Sequence, residues 1–203
     1  MLHTVVRRIG CALLVALAMA GCASFESRRD GKAPVVTPGE AVDIKALKLS
    51  ARLGIKQGNE GHSGSLRWLH AAPDHEITVY SPIGTTVAKI VQNEQGAKLT
   101  TNNDQTYQAA DADKLMQQVM GWSFPLNGMQ YWVLGRVSPE GQAEEERGPN
   151  NRLMHLKQQD WDIQYADYRP LANIELPYRI VMKRADFTIR LVVDSIVPLL
   201  GKP

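Results

Sequence analysis

Cysteine is nearly absent from this chain of 203 residues: only Cys11 and Cys22 occur, both close to the amino terminus. The body of the protein therefore has no disulfide framework and no thiolate metal site. A surplus of one charge is missing too, with 23 Lys+Arg against 21 Asp+Glu. That balance argues against a nucleic-acid binder, which needs basic residues to replace counterions on phosphate. There is no run of about 20 apolar residues, the length that crosses ~30 Å of hydrocarbon, so a polytopic membrane protein is excluded. What is present is ordinary: 44% hydrophobic and 22% charged residues, enough to close the core of one domain or two small ones, and too apolar for a disordered chain.

The amino terminus reads as an address. Arg7-Arg8 precede a low-polarity run over 9–20, followed by Met19-Ala20-Gly21-Cys22. A basic start, a short apolar stretch and small residues before a cut describe a secretory signal. The Cys directly after Ala20-Gly21 makes it resemble a bacterial lipoprotein signal; a plain secretory signal is the alternative. That resemblance implies cleavage after residue 21, lipidation of Cys22 and anchorage in the periplasmic leaflet of an outer membrane, since Ala23 is not the Asp that marks inner-membrane retention. Cleavage takes Arg7 and Arg8 and no acid, and so cancels the formal charge of +2. Residues 22–43 are polar and broken by Pro34 and Pro38, with no period, and read as a tether with an r.m.s. reach of about 25 Å. A single domain is expected over 44–203.

Within that domain the grammar is strand, helix, strand. Leu49, Ala51, Leu53 and Ile55 alternate with polar or small residues, the period of a half-buried strand. Further short strands are expected over 63–70, 75–80, 85–91, 98–101 and 105–108, with turn residues between them. At Asp111 the period changes: Asp111-Ala112-Asp113 suits a helix start, and Leu115, Met116, Val119 and Met120 share one helical stripe. A second helix is expected from Asn127, carrying Met129, Trp132 and Val133 and ending at Gly135. Residues 138–151 read as a solvated connection. Strands resume over 152–157, 161–165, 177–183 and 187–194. So much sheet around two amphipathic helices favours a curled sheet with helices over its opening.

The search for catalytic chemistry returns little. Gly61-His62-Ser63-Gly64-Ser65 nearly imitates a nucleophile elbow, but its last position is Ser where Gly is required, and it precedes a strand. His62, His70 and His75 lie near consecutive strand ends without metal-ligand spacing and read as surface or edge histidines. No Gly-rich phosphate loop follows a strand, so binding is expected rather than catalysis. One local feature is odd. Pro82 suits the first corner of a turn and Gly84 its left-handed position, which leaves Ile83 at the apex of a hairpin, the place least able to bury a side chain. Ile83 either folds back over its own hairpin or meets something outside the protein.

Several short motifs then fall in order: Leu66-Arg67-Trp68, Ser81-Pro82-Ile83-Gly84-Thr85-Thr86, Ala110-Asp111-Ala112-Asp113-Lys114-Leu115, and Gly121-Trp122-Ser123-Phe124-Pro125-Leu126. Trp132-Val133-Leu134-Gly135, Arg152-Leu153, Trp161-Asp162-Ile163-Gln164-Tyr165, Leu176-Pro177 and Leu191-Val192-Val193-Asp194 follow. Collinear behind a lipoprotein signal, they resemble the LolB family of outer-membrane lipoproteins that receive other lipoproteins. One departure is Ser195-Ile196, where the family usually closes the last strand with a Trp.

The resemblance implies a mainly β fold: an incomplete antiparallel β-barrel of about ten or eleven strands, covered by two or three helices, around an apolar cavity for the acyl chains of a client. It also implies that the Pro82-Ile83-Gly84 apex dips into the bilayer during delivery. The implied partners are lipoprotein acyl chains, a soluble LolA-like periplasmic carrier and the outer-membrane bilayer, with a monomer as the working unit and no cofactor. On strand alternation Leu66, Trp68, Ile77, Val79, Ala88 and Ile90 would line the cavity, joined from the helical region by Leu115, Met116, Val119, Met120, Trp122 and Trp132. The same stripe of Leu, Met and Trp also fits a filled core, and the competing reading is a structural or assembly lipoprotein that docks a protein partner and has no lipid pocket.

Overall fold

The computed structural model describes residues 46–120, 126–171 and 174–199. Cys22, the tether and Trp122 lie outside the described residues, as does the side chain of Met120. Six strands form the first half of the sheet: β1 (Ala46–Gln57), β2 (Glu60–Ala71), β3 (Asp74–Tyr80), β4 (Thr86–Asn93), β5 (Gly96–Thr101) and β6 (Thr106–Ala109). After helices α1 (Ala112–Met120) and α2 (Leu126–Trp132) come β7 (Ala143–Arg147), β8 (Leu153–Gln158), β9 (Trp161–Leu171), β10 (Ile174–Arg184) and β11 (Phe187–Pro198). The described strands make one antiparallel sheet in the order β6-β5-β4-β3-β2-β1-β11-β10-β9-β8-β7. It consists of two meanders joined where β1 pairs with β11, with β6 and β7 as its two edges. One core cluster takes side chains from both meanders and both helices, so the sheet curls around its apolar face. The expected incomplete barrel with a helical cover is the observed architecture.

Alternation explains the strands and also where the sequence misleads. Leu47, Leu49 and Ala51 of β1 are buried while Lys48 and Arg52 are exposed. In β11, Phe187, Ile189, Leu191 and Val193 point inward, and then the phase changes and Ile196 is buried. The cause is a register shift between Ser50 and Ala51: Ser50 pairs with Ser195 and Ala51 with Val193, leaving Asp194 as the extra residue. That bulge hides the last turn of the strand from a period-of-two reading, which stops at residue 194. Ile196, paired with Leu49, is buried and closes that end of the strand. The stretch 138–151 corrects the expectation of a mere connection, because β7 pairs there with β8. All five β7 residues are exposed, so no hydrophobic period could announce the strand.

The helices are fixed by polar contacts. Asp111 accepts the Lys114 N–H at 2.7 Å and so caps α1, a bond that holds its carboxyl below the usual range. The Ala112 N–H donates to Gln92 Oε1 at 2.8 Å, tying the helix start to β4. At the end of α2, the Gly135 N–H donates to Trp132 O and the Arg136 N–H to Tyr131 O, with Gly135 at φ 66°. This is a Schellman closure that requires the left-handed conformation. Deeper in, the buried Gln158 amide is fully used. Its oxygen accepts from Trp132 Nε1 and the Ser138 N–H, both at 2.9 Å, and its nitrogen donates to Ser138 O and Glu140 O. One side chain on β8 therefore pins α2 and the chain that leaves it.

The other end of the β1–β3 region holds an aromatic stack. Trp68 Nε1 donates to His75 Nδ1 at 3.3 Å, and the His70 and His75 rings stack with centroids 4.5 Å apart. His70 and His75 are only 3% and 4% exposed, which corrects the reading of them as surface or edge histidines. Trp68 and the buried face of β1 cover rings that the sequence leaves near strand ends. Burial, with a smaller contribution from His70, pushes the His75 imidazole down to about 4. Burial also lowers His70, partly offset by a hydrogen bond with the Asp74 backbone.

Two outcomes are expected. Gln158→Leu keeps the volume but strands the Trp132 and Ser138 polar groups; it should cost about 3 kcal/mol in urea unfolding, against roughly 0.5 kcal/mol or less for exposed Gln159→Leu. The histidines are neutral in the fold and their folded values lie below the ordinary 6.5. Their contribution is thus complete above about pH 6.5 and lost as pH falls from there toward 4. His75→Gln, which keeps an acceptor for Trp68 but takes no proton, should lose less stability across that window. Parallel losses in the two proteins would remove the histidines as the cause.

Candidate functional site: an apolar cavity and an exposed hairpin

The curled sheet is not filled evenly. Toward the starts of β1 and β3 the interior is solid, with Leu47, Leu49, Trp68 and His75 packed together. Toward the other end lies a cavity of about 470 Å³. Its walls are aliphatic: Leu53 and Ile55 of β1, Leu66 of β2, Ile77 and Val79 of β3, Ala88 and Ile90 of β4, Leu99 of β5, and Ile189 and Leu191 of β11. Each helix contributes one methionine, Met116 from α1 and Met129 from α2. Met side chains are unbranched and adaptable, so this wall can reshape at little cost. Polar residues enter the lining at exposed positions, Gln57, Glu60, His62 and Ser63, which mark the mouth.

Of the residues expected to line a cavity, Leu66, Ile77, Val79, Ala88, Ile90 and Met116 do so. Trp68, Leu115 and Trp132 are buried in the solid core and stand apart from that lining, with a physical reason in each case. Trp68 is committed to His75, Trp132 to Gln158, and Leu115 sits on the helix that packs on β5 and β6. Val119 is half-buried and packs against the core without reaching the lining. Sequence reasoning missed Leu53, Ile55, Leu99, Met129, Ile189 and Leu191. The alternation of Leu53 with Ile55 and of Ile189 with Leu191 was visible; that the two strands stand side by side was not.

The hairpin between β3 and β4 rises from the same end. The Ser81 N–H donates to Thr85 O at 2.8 Å, the Gly84 N–H to Ser81 O at 2.9 Å, and the Thr85 N–H to Ser81 Oγ at 3.2 Å. Gly84 stands at φ 86°, a conformation that a side chain resists. This frame holds Ile83 out at 89% exposure, so it does not fold back over its own hairpin. Tyr80, Ser81 and Pro82 belong both to the hairpin base and to the cavity wall. At that base a Cβ on Gly64 would stand 2.2 Å from Tyr80 O, so only glycine lets β3 pass so close to β2. The arrangement offers burial of a flexible apolar ligand next to an apolar projection.

The family profile described as "Outer membrane lipoprotein LolB" matches residues 45–195. The chain is 33% identical over 187 residues to the Outer-membrane lipoprotein LolB of Nitrosomonas europaea, covering 89% of this chain and 88% of that one. It is 31% identical over 189 residues to the protein of the same name from Thiobacillus denitrificans, covering 93% and 97%. Among solved structures, a DUF1329 family protein from Desulfovibrio piger superposes with a TM-score of 0.53 at 7% identity, over 78% of this chain and 88% of that one, a likeness of fold alone. With the profile spanning all but the last three residues of the described sheet and relatives matched over most of their length, the chain belongs to the LolB family, lipoproteins of the outer membrane.

Proposed function

We propose that this protein receives other lipoproteins from a soluble LolA-like periplasmic carrier, shelters their acyl chains in its cavity, and inserts them into the inner leaflet of the outer membrane through the Ile83 hairpin. The observation that carries this reading is the continuity between hollow and projection: Ser81 and Pro82 line the cavity and also support the exposed apex. A client whose tails rest against Val79, Ala88 and Pro82 is then already beside the part of the molecule best suited to enter a bilayer.

The energetics suit a passive handover. Each CH₂ exposed to water costs about 0.8 kcal/mol, so one long acyl chain crossing the periplasm bare costs on the order of 10 kcal/mol. Moving that chain from an apolar cavity to a bilayer replaces one apolar environment by another, and needs no nucleotide hydrolysis. In this reading the signal over 1–21 is removed, Cys22 carries the acyl anchor, and the following tether keeps the domain near the periplasmic face of the membrane. A single copy holds both cavity and apex, so the cycle requires no second copy.

The test of the cavity uses the chain with Cys22→Ala and a fluorescent fatty-acid analogue. Uptake should be saturable and competed by an acylated lipoprotein; no saturable uptake would favour a structural or assembly lipoprotein without a lipid pocket. The test of the apex is Ile83→Glu. Burying an Ile stabilises membrane contact by about 1.5–3 kcal/mol, so the variant should accept clients normally but release them into liposomes some ten- to a hundredfold more slowly. Release as fast as the wild type would remove the apex from the mechanism.

A further inference from the structure

We propose that a shallow groove on the outer face, beside the cavity mouth, seats the phosphate of an anionic phospholipid in the bilayer that the hairpin enters; this rests on the membrane-contact reading of Ile83. The groove has a volume of about 370 Å³ and lies across β1, β2 and β11. Gly54, Gly61 and Ser63 form its floor, Lys56 and Arg190 stand at its sides, and Asn59 lies at the turn between β1 and β2. Register places the two cations together: Arg190 is opposite Gly54, and Lys56 is opposite Thr188, two residues away on the same face.

Three observations point to an anionic occupant. First, among the described residues no acid lines the groove. Glu60 belongs to the cavity mouth, and Asp186 sits at the neighbouring turn, where its backbone oxygen accepts the Gly58 N–H. Second, among the described residues Lys56 and Arg190 are in no ion pair, whereas Arg52 on the same face is held by Asp194 at 3.4 Å. A guanidinium fork and an ammonium, with the Ser63 hydroxyl and Asn59 amide near, form a donor set suited to phosphate oxygens. Third, the emptiness of the groove is not imposed by packing. A Cβ on Gly54 would meet only Arg190 Cβ, at 3.8 Å, and one on Gly61 only Ile55 O, at 3.9 Å; both are ordinary contacts. Neither glycine has the left-handed φ that Gly58 and Gly84 need.

Position supplies the choice of occupant. His62 and Ser63 line the groove and the cavity mouth alike, and the next residue, Gly64, abuts Tyr80 at the base of the hairpin. Apolar elements that lie in a membrane interface sink about 5–10 Å, to the boundary of headgroups and acyl chains. An immersed Ile83 therefore brings this groove to the layer of lipid phosphates.

The experiment measures binding of the chain with Cys22→Ala to vesicles of phosphatidylcholine alone and of phosphatidylcholine mixed with phosphatidylglycerol. Lys56→Ala and Arg190→Ala should each weaken binding to the mixed vesicles about fivefold and leave binding to the neutral ones unchanged. Gly54→Val fills the groove while keeping both charges, and should weaken mixed-vesicle binding by a similar factor. Uptake of the fatty-acid analogue should stay as in the wild type for all three, which shows that they fold. Inorganic phosphate should displace the protein from mixed vesicles at an ionic strength where chloride does not. Wild-type binding by Gly54→Val, or equal displacement by the two salts, would reduce the effect to diffuse attraction and overturn the groove. Ile83→Glu separates the two readings: it should weaken binding to both kinds of vesicle. If it alone has an effect the groove fails and the hairpin stands; if it has none, the hairpin reading fails.

Discussion

Everything in this molecule depends on the pairing of its first strand with its last. Leu47 lies opposite Pro198, and from there the ladder runs to Gln57 opposite Phe187. Without that seam the two meanders are separate antiparallel sheets, each with an apolar face and nothing to cover it. With it, Leu53 and Ile55 stand beside Ile189 and Leu191, and the cavity acquires its floor. Bringing residues so far apart in the chain together costs loop-closure entropy, which grows only slowly with length. What makes the seam worth that entropy is its two-sided geometry. Buried side chains alternate along both strands, and the bulge at Asp194 lets the alternation continue to Ile196 after the register shifts.

The solid end of the sheet makes the hollow end possible. At ~24 cal/mol per Å³, a sealed and empty void of about 470 Å³ would cost on the order of 10 kcal/mol, comparable with the whole stability of a typical domain. The protein does not meet that cost, because the cavity is not sealed: its mouth carries Gln57, Glu60, His62 and Ser63, all exposed. The remainder must be supported by a frame that does not collapse inward. The Trp68–His75–His70 stack and the Gln158 hub with Trp132 serve as that frame, each fixed by an indole N–H that finds its acceptor inside the core: Trp68 on His75 and Trp132 on Gln158. Such contacts are directional, so they hold spacing in a way that aliphatic packing alone does not.

Much of this was legible in the sequence, and what was hidden was hidden for identifiable reasons. The hairpin was readable because Pro82 and Gly84 fix its backbone locally, which leaves Ile83 nowhere to go. Helix starts and stops were readable in Asp111 and Gly135 for the same reason. Pairing between distant strands carries no local signal, so the half of the cavity wall drawn from β1, β5 and β11 was missed although its alternation was plain. The tryptophans are harder to place from sequence: Trp68 and Trp132 are large and apolar and suit a lining, yet each has an N–H that seeks a partner, and the partner decides where the ring sits. Strand β7 was invisible because Glu144, Glu145 and Glu146 face water on both sides. Charge on an exposed edge strand is itself intelligible, since it discourages pairing with another chain.

The direction of β1 bears on the proposed cycle as well. Strand β1 starts at the solid end, beside Trp68 and His75, and finishes at the end that carries the cavity mouth and the hairpin. Its 12 residues at about 3.3 Å each separate the two ends by nearly 40 Å. In the proposed cycle the mouth faces the bilayer, so the braced end of the sheet lies about that far from the lipid. The part of the molecule that must stay rigid is thus set apart from the part that must yield to a ligand, where Met116 and Met129 form an adaptable wall.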